Sequence, residues 1–451
     1  MYVTVRDAGG GAAVADGRAT PVGRASRVAT TVLLLGVVSM LTDVSSESVA
    51  AVLPLYVTVV LGLSPFAYGV VDALYVGVSG AVRLLGGWLS DRVDRPKWVA
   101  FSGYALSAVS RAALLPAAGF AALVGVVTAD RIGKGIRTAP RDALITAASP
   151  PAALGRAFGV HRALDTLGAF IGPLLAFAIL AAIPLGFDVV FVVSFAVAVL
   201  GVAVLGLLVP DIRRRDVTTD ATPDSPRELA PAFAPTPARG NSSAAAAVPA
   251  RPRLRDLAVP GFGRLLLAAG VLGLLTVGDG FLYLVLQRRD GLAAEYFPLL
   301  YVGTSVTYLL LAVPLGRLAD RVGRTRVFLA GHVVLLLAYL AAGGPVGGTA
   351  MTVTALLLLG VYYAATDGVV SAIAGQLAPA HLRATGIAAV QTAVVAGRAG
   401  ASLLFGLAWA LTARDVAVLA FAGGLVVAIA VAAVLLRGVT TAPGPASGGP
   451  A

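Results

Sequence analysis

The sequence contains no cysteine and few charged residues. The absence of cysteine excludes disulfides, thiolate zinc sites and thiol catalysis. Charged residues make up 13% of the chain, whereas a soluble domain carries about 25%. Hydrophobic residues make up 58%. A chain with so little polar surface needs a solvent as apolar as itself, so the composition predicts an integral membrane protein.

Lysine and histidine are also scarce. The only lysines are Lys97 and Lys134, so the net charge of +11 comes mainly from arginine. The arginines stand in short segments between apolar runs, which is typical of membrane loops and not of a nucleic-acid interface. His161, His332 and His381 are far apart, and neither H-E-x-x-H nor G-x-S-x-G occurs. We therefore expect no metal site, no cofactor, no catalytic residues and no enzyme activity.

Apolar runs long enough to cross a bilayer, about 20 residues each, recur twelve times along the chain. They predict membrane-spanning helices near Val32–Val60, Phe66–Leu89, Trp98–Phe120, Ala121–Ala147, Ala157–Ile183, Val189–Val209, Leu265–Leu286, Tyr296–Leu315, Val327–Ala342, Met351–Ala374, Ala384–Leu411 and Val416–Leu436. The predicted protein is all-α, with the lipid bilayer as its surroundings.

Three polar segments flank and divide these runs. Residues 1–28 and 438–451 are predicted to be disordered tails, and residues 210–260, rich in Pro, Ala, Ser, Thr, Asp and Arg, to be a disordered linker. The linker separates a predicted six-helix bundle at 29–209 from a second one at 261–437.

Arginine and lysine are concentrated on one side of the predicted membrane. They crowd the N-terminus, the start of the linker and the loops after the second and eighth spans, with exceptions at Arg288, Arg289 and Arg414. This bias predicts that both termini and the linker are cytoplasmic. The heavy use of Ala, Gly and Arg suggests a GC-rich genome, and we expect the inner (plasma) membrane of a bacterium.

Two short motifs occur once in each half. Gly87–Arg95 (GWLSDRVDR) recurs as Gly316–Arg324 (GRLADRVGR), and Arg156–Gly159 recurs as Arg383–Gly386 at nearly the same offset. Two matches at nearly one offset indicate duplicated halves related by an axis along the membrane normal, with a cavity between them.

These motifs resemble those of the major facilitator superfamily. Gly87–Arg95 and Gly316–Arg324 are similar to the family's motif A, although Asp94 stands where a glycine is usual. Arg131–Gly135 is similar to motif B, with Lys134 in place of glutamine. The resemblance covers the chain except its tails and linker. It implies twelve transmembrane helices in two pseudo-symmetric six-helix bundles.

Gly168–Pro173 (GAFIGP) is similar to motif C, which marks antiporters of the family. The segments Leu41–Glu47 and Arg137–Leu144 resemble a bacterial branch of presumed exporters. The glycines and proline of motif C, Gly168, Gly172 and Pro173, are expected to let helices pack closely and bend.

The resemblance also implies roles for the motif residues. It gives Asp91 and Asp320 a gating role at the cytoplasmic helix ends, and suggests that Arg131 helps to move or tune a proton. The alternative for the arginines is that they only reflect the enrichment of positive charge in cytoplasmic loops and belong to a tight turn. The gating residues implied are Gly87, Asp91, Arg92, Arg95, Gly316, Asp320, Arg321 and Arg324.

Asp43 and Glu47 share one face of the first span, one helical turn apart. Two carboxylates this close do not both ionise cheaply, so one of them is expected to keep its proton. A proton carrier needs such a group. They are therefore candidates for proton coupling or substrate contact, with Glu47 predicted to be the deeper of the two. The alternative is a position near a membrane interface or in a structural pair.

The fourth span is the most charged. Asp130, Lys134, Arg137 and Arg141 follow a 4-3-4 spacing and predict one polar stripe, which must face away from lipid. Lys134 joins the coupling candidates because it lies further in. For Arg137, Arg141 and Asp142, the alternative is that the lower half of the stripe reaches cytoplasmic water and lipid phosphates.

His161, Arg162 and Asp165 lie together on the fifth span. The i, i+4 spacing of His161 and Asp165 is compatible with a proton relay, and the alternative is an internal ion pair. In the second half, Asp279, Asp367 and Arg398 are isolated charges that each need a partner or a wet cavity, and Asp367 with Arg398 is a possible pair. Further cavity-lining candidates are Tyr283, Tyr301, Tyr308, Tyr362, Tyr363 and Gln391. For tyrosines near span ends, anchoring at the membrane interface is the favoured alternative.

The sequence therefore predicts a monomeric secondary transporter that exports a small organic molecule in exchange for protons by alternating access. Uptake by proton symport is the alternative within transport. A membrane enzyme lacks the necessary motifs, and a transporter-like sensor would require a folded soluble domain that the linker does not offer.

Overall fold

The structure, a computed structural model, describes residues 29–93, 95–150, 153–211, 259, 261–379 and 382–439. Side chains at 83–88, 90, 91 and 384 lie outside that description. We number the helices α1 to α12, with α7 in two parts. Their bounds are α1 Thr30–Leu55, α2 Pro65–Val93, α3 Pro96–Ala113, α4 Phe120–Ala147, α5 Leu154–Ala182, α6 Phe187–Leu208, α7a Phe262–Leu274, α7b Asp279–Asp290, α8 Phe297–Val322, α9 Arg324–Gly343, α10 Thr349–Leu377, α11 Arg383–Leu411 and α12 Arg414–Leu435.

Helix packing repeats between the halves with a shift of six helices. In the first half α1 packs on α5 and α6, α2 on α4, and α3 on α4 and α6. In the second half α7a packs on α11 and α12, α8 on α10, and α9 on α10 and α12. Between the halves the main contacts are α2 with α11 and α5 with α8, which the same shift interchanges. The predicted all-α fold of two pseudo-symmetric six-helix bundles is confirmed, and the residues described contain no strand.

Ten helical segments within the described residues are long and apolar enough to cross a membrane. α3 and α4 complete the twelve, and both are less apolar because they carry buried charges such as Lys97, Arg111 and Asp130. Lys97 donates to the carbonyl of Gly206 at 3.0 Å. These three buried charged groups thus find partners within the bundle and not in lipid.

Several predicted helix boundaries are wrong. The third span ends at Ala113 and not at Phe120, because a turn leading to Pro116 interrupts the apolar run. α8 runs through most of the second motif A and ends at Val322, so that motif is a helix end and not a loop. The first copy likewise lies on α2 as far as Val93.

The seventh span is broken, whereas its apolar pattern predicts one continuous helix. α7a ends at Leu274 and α7b begins at Asp279. Tyr339 of α9 holds the gap: its hydroxyl donates to the carbonyl of Leu275 and accepts from the amide of Val277, each at 2.8 Å. Backbone groups freed by the break therefore have partners, as the apolar surroundings require.

The contact between α2 and α11 is closest at one end of the molecule. A Cβ atom placed on Gly69 would lie 2.5 Å from the carbonyl oxygen of Ser402. Further along α2, a Cβ on Gly77 or Gly80 would have its nearest neighbour at 3.8 or 3.9 Å. We call the end with the α2–α3 and α8–α9 loops, where Arg95 is exposed, the basic side. The two helices therefore diverge towards the basic side and touch at the opposite side.

Motif C lies where α5 crosses α1. Gly168 faces the backbone of Met40, and a Cβ on Gly172 would lie 2.9 Å from the carbonyl oxygen of Val44. The hydroxyl of Ser48 donates to the carbonyl of Gly172 at 2.9 Å. Pro173 is buried inside α5. This contact brings the α1 and α5 backbones together, with their charged residues on neighbouring surfaces.

Two of the three arginines that break the charge bias have acidic neighbours. Arg289 pairs with Asp290 at 2.8 Å and donates to the carbonyl of Ala342 at 3.2 Å. Arg414 pairs with Asp415 at 2.7 Å. Each of these two arginines is adjacent to the aspartate that neutralises it, so neither contributes net charge at the opposite side.

Some predictions concern segments that the structure does not describe. The tail 1–28 and nearly all of the linker, 212–258, lie outside the described residues, as do 440–451. Within the predicted C-terminal tail, Val439 is described and packs against the hydrophobic core. The disorder of the three segments stays a prediction.

We predict that Gly172→Ala lowers the melting temperature of the protein. The added methyl group meets the backbone of α1, and overpacking of this kind costs about 1–3 kcal/mol. Gly159→Ala on the same helix is the matched control, because a Cβ there meets no atom within 4 Å and alanine favours a helix by about 0.5–1 kcal/mol. Thermal unfolding in detergent compares the two. Equal melting temperatures would contradict the inferred close packing.

Candidate functional site

Charged side chains cluster on the facing surfaces of α1, α4 and α5. The deepest group is Asp130, which pairs with Arg111 at 2.9 Å and accepts from Nε of Arg131 at 2.8 Å. The ring of Tyr75 covers the Arg131 guanidinium at 3.7 Å, and Ser46 accepts from Arg111 at 3.0 Å. All but Tyr75 are buried. The motif B arginine is therefore held between a carboxylate and an aromatic ring.

A second network lies nearer the basic side. Arg137 reaches Asp43 at 3.9 Å and stacks on the ring of Tyr104 at 4.5 Å. Arg141 reaches Asp165 at 3.8 Å. The predicted polar stripe of α4 thus faces α1 and α5, and its lower half is bound within the protein.

Asp165 is the meeting point of this network. It pairs with Arg162 at 3.2 Å, and its carboxyl group is within hydrogen-bonding reach of the Asp43 carboxyl group. His161 forms no hydrogen bond or ion pair with Asp165, and both of its ring nitrogens are buried without a partner among the described residues. The structure therefore pairs Asp165 with Asp43 across two helices, a contact that spacing along one helix does not reveal.

Glu47 and Lys134 are less constrained. Among the residues that the structure describes, neither side chain forms a hydrogen bond or an ion pair, and both are half-buried. Glu47 lies near Arg131 and Lys134 near Asp43 in the electrostatic field of the cluster. They are the groups of this wall that remain available for a ligand.

The second half contributes a smaller cluster beside the break in α7. Tyr363 donates to Asp279 at 2.5 Å and accepts from Arg398. The predicted pair of Asp367 with Arg398 does not form an ion pair within 4 Å: Arg398 lies in the field of Asp367 but turns to Tyr363. Asp367 is exposed.

The other aromatic candidates divide between core and cavity. Tyr283 donates to Thr304 at 2.8 Å and stacks edge-on against Tyr301, with ring centroids 4.5 Å apart. Tyr362 packs against His332. Tyr308 and Gln391 are exposed. The first three tyrosines therefore stabilise the second bundle, and the last two candidates face open space.

A cavity opens between the halves on the basic side. Polar side chains in mid-helix are exposed on both walls, including Arg162 on α5 and Asp367, Gln391 and Thr392 on α10 and α11. Exposed polar groups at this depth indicate contact with water, since lipid offers no hydrogen-bond partner. The opposite side is closed by α2, α7b and α11, where Tyr68 and Phe281 stack with ring centroids 4.7 Å apart.

The sequence model of the Major Facilitator Superfamily matches residues 35–399. The chain belongs to this superfamily. It is a multi-pass membrane transporter of the alternating-access type, in a family of transporters and not of enzymes. The resemblance inferred from motifs A, B and C is confirmed.

Relatives and solved structures agree with this assignment. An uncharacterized MFS-type transporter of Methanocaldococcus jannaschii is 27% identical over 84% of this chain and 89% of its own length. The solved nucleoside transporter NupG superposes with a TM-score of 0.70 at 16% identity, over 90% of this chain and 99% of NupG. A bacterial homolog of the human lysosomal transporter Spinster, inward-facing and occupied, gives 0.65 at 16% identity, over 91% and 98%.

Motif A, which is predicted to act as a gate, is only partly described. Gly87 and Asp91 lie on α2, and their side chains are outside the description. Arg92, Arg95 and Arg321 are exposed and Gly316 is half-buried. In the second copy Asp320 pairs with Arg324 of the same motif at 2.6 Å. This ion pair joins α8 to α9 within one half and does not bridge the halves.

Sequence analysis missed Asp72, which joins the two halves. The Ser402 hydroxyl on α11 donates to it at 2.6 Å, Tyr68 lies in its electrostatic field, and Gly278 at the α7 break faces it. Arg111 was also missed. The available signal was the same for both: a charged residue in the middle of a largely apolar predicted span, which needs a buried partner.

We predict that Asp72→Ala opens the closed side more often. Loss of the hydrogen bond to Ser402 removes about 1–3 kcal/mol of inter-half contact, which shifts a two-state equilibrium by about 5- to 150-fold. Because the chain has no cysteine, spin labels at Phe66→Cys and Leu411→Cys report the α2–α11 distance uniquely. Ser402→Ala should reproduce the longer distance, and Asp188→Asn should not. An unchanged distance distribution in both seam variants would contradict the prediction.

Proposed function

We propose that this transporter exports a small organic molecule in exchange for protons across the bacterial plasma membrane, with the basic side facing the cytoplasm. The observation that carries the proposal is the approach of the Asp43 and Asp165 carboxyl groups across α1 and α5. A hydrogen bond between two carboxyl groups requires one proton on the pair. The pair is therefore our candidate for the proton-binding site.

The surroundings of the pair suit both protonation states. With the proton bound, the two carboxyl groups share it. Without it, Arg137 stands near Asp43 at 3.9 Å, and Asp165 retains Arg141 and Arg162 at 3.8 and 3.2 Å. Charges inside a membrane need such partners, since a lone one costs about 2.5–3.5 kcal/mol on insertion scales. The site thus binds and releases a proton without leaving a carboxylate unpaired.

The neighbouring candidates have supporting roles in this proposal. Glu47 and Lys134, which are half-buried and have no partner among the described residues, are assigned to cargo contact. His161, buried beside Asp165 with two free ring nitrogens, is assigned to proton passage. Arg131 pairs with Asp130 and also lies near Glu47. It is therefore assigned to setting the electrostatic potential at this wall of the cavity. The cargo and the proton then bind on adjoining surfaces of one cavity.

The direction of transport and the orientation of the protein in the membrane are supported by separate observations. The Arg-rich α2–α3 and α8–α9 loops lie on the basic side, which supports a cytoplasmic position for that side. Export is supported by the close α1–α5 contact at Gly168 and Gly172, the segment that resembles the antiporter motif. We also propose a monomer as the working unit.

We predict that Asp43→Asn abolishes cargo-driven proton movement. A cargo is first selected by comparing metabolites retained by cells with and without the chain. Proteoliposomes with an internal pH dye should then show a cargo-driven pH change at least about ten-fold smaller for Asp43→Asn and Asp165→Asn. Cargo exchange, which moves no net proton, should persist.

Asp188→Asn at the start of α6 is the control, because this variant also removes one carboxylate but far from the network. If both network variants keep wild-type proton coupling, the carboxyl pair is not the proton site. A pH change of the opposite sign would indicate symport and contradict export.

We also propose that Asp91 and Asp320 act when the basic side closes. In the present state Asp320 is more than half exposed and its partner Arg324 is on the same side of the cavity. Asp320→Asn should therefore slow transport about ten-fold and leave cargo binding unchanged. Arg317→Gln changes one charge at the same helix end and should have little effect. Loss of cargo binding in Asp320→Asn would argue against a gating role.

A further inference from the structure

The second-half wall of the cavity carries a carboxylate without a partner. Asp367 is on α10, ten residues before the helix ends at Leu377, which places it about 15 Å from the basic-side end. Its side chain is exposed and forms no hydrogen bond or ion pair with any residue that the structure describes. A carboxylate at this depth must face water or a ligand.

The arginine nearest to Asp367 is already engaged. Arg398 donates to the hydroxyl of Tyr363 and its guanidinium is 5.2 Å from that ring, while Tyr363 donates to Asp279. Two carboxylates, Asp279 and Asp367, therefore share one arginine in this part of the described structure. The wall has a surplus of one negative charge, and Asp367 is where that charge is accessible.

The other groups around Asp367 fit a ligand with a positive charge and a carbon skeleton. Tyr308 of α8 lies in its field and is 37% exposed, so part of its ring borders the cavity. Gln391 of α11 is exposed and hydrogen-bonds to Ser371, one turn beyond Asp367 on α10. Arg162 of α5 also lies in the field of Tyr308, but Asp165 holds it at 3.2 Å.

We propose that Asp367 binds a protonated amine of the cargo, with Tyr308 packing against the adjoining carbon skeleton. An ammonium group supplies both the missing charge and N–H donors for the carboxylate, and an aromatic face next to it attracts a cation. The cargo class is therefore a small organic amine. This inference rests on the proposed transport of a small organic molecule and adds its chemical class.

The test measures binding by the full chain in lipid nanodiscs at neutral pH without a proton gradient. The probes are phenethylamine, tryptamine and putrescine, each paired with its fully N-acetylated derivative (N,N′-diacetyl for putrescine), in which no amine can be protonated. Isothermal titration calorimetry should detect binding of at least one amine and at least about ten-fold weaker binding of its N-acetyl partner. Asp367→Asn should weaken that amine by about 10- to 100-fold.

Asp367→Glu keeps the charge and should retain most of the binding, which separates a specific role from misfolding. Asp415→Asn is the matched control, since it neutralises an aspartate that is paired with Arg414 outside the cavity. Equal binding by amine and N-acetyl derivative, unchanged binding in Asp367→Asn, or no binding of any amine would overturn the proposal. Failure of proton coupling alone would leave these binding results intact, so the two proposals fail separately.

Discussion

The structure depends on one constraint: a charge inside the bilayer needs a partner or water. α3 and α4 can cross the membrane although they are less apolar than the other helices, because Arg111 and Arg131 enclose Asp130 and Lys97 reaches a carbonyl of α6. The same constraint fixes the rotation of α4, whose polar stripe has to face α1 and α5. In such a bundle, the buried charged groups that stabilise the helix packing are also the groups that can bind a proton or a ligand.

The two halves provide partners for their buried charges in different ways. In the first half, carboxylates and arginines from three helices form a connected network with little surplus charge. In the second half, one arginine serves two carboxylates beside the break in α7, and Asp367 is left facing the cavity. Pseudo-symmetry therefore extends to helix packing but not to charge. This division would let the first wall bind the proton, while both walls contact the cargo.

Small residues and one carboxylate determine which side is closed. Gly69 and Gly406 let α2 and α11 touch at the side opposite the basic loops, and Asp72 adds the hydrogen bond to Ser402 there. Towards the basic side the same helices diverge and the wall residues are exposed. When the molecule switches state, Asp72 must lose its partner and meet water. The closed side thus carries its own charged group, separate from the proton and cargo candidates.

The sequence by itself determined the membrane setting, the number of spans, the duplication and the family, because hydrophobic length and repeated motifs are properties of the chain alone. It also found most of the charged candidates, since a charge in an apolar run is visible without a structure. Only the tertiary structure showed that Asp43 meets Asp165, that Asp72 meets Ser402, that α7 is broken at Thr276–Gly278, and that Asp367 is left without Arg398. These are contacts between helices distant in sequence, and periodicity on one helix gives the direction of a side chain but not what stands opposite it.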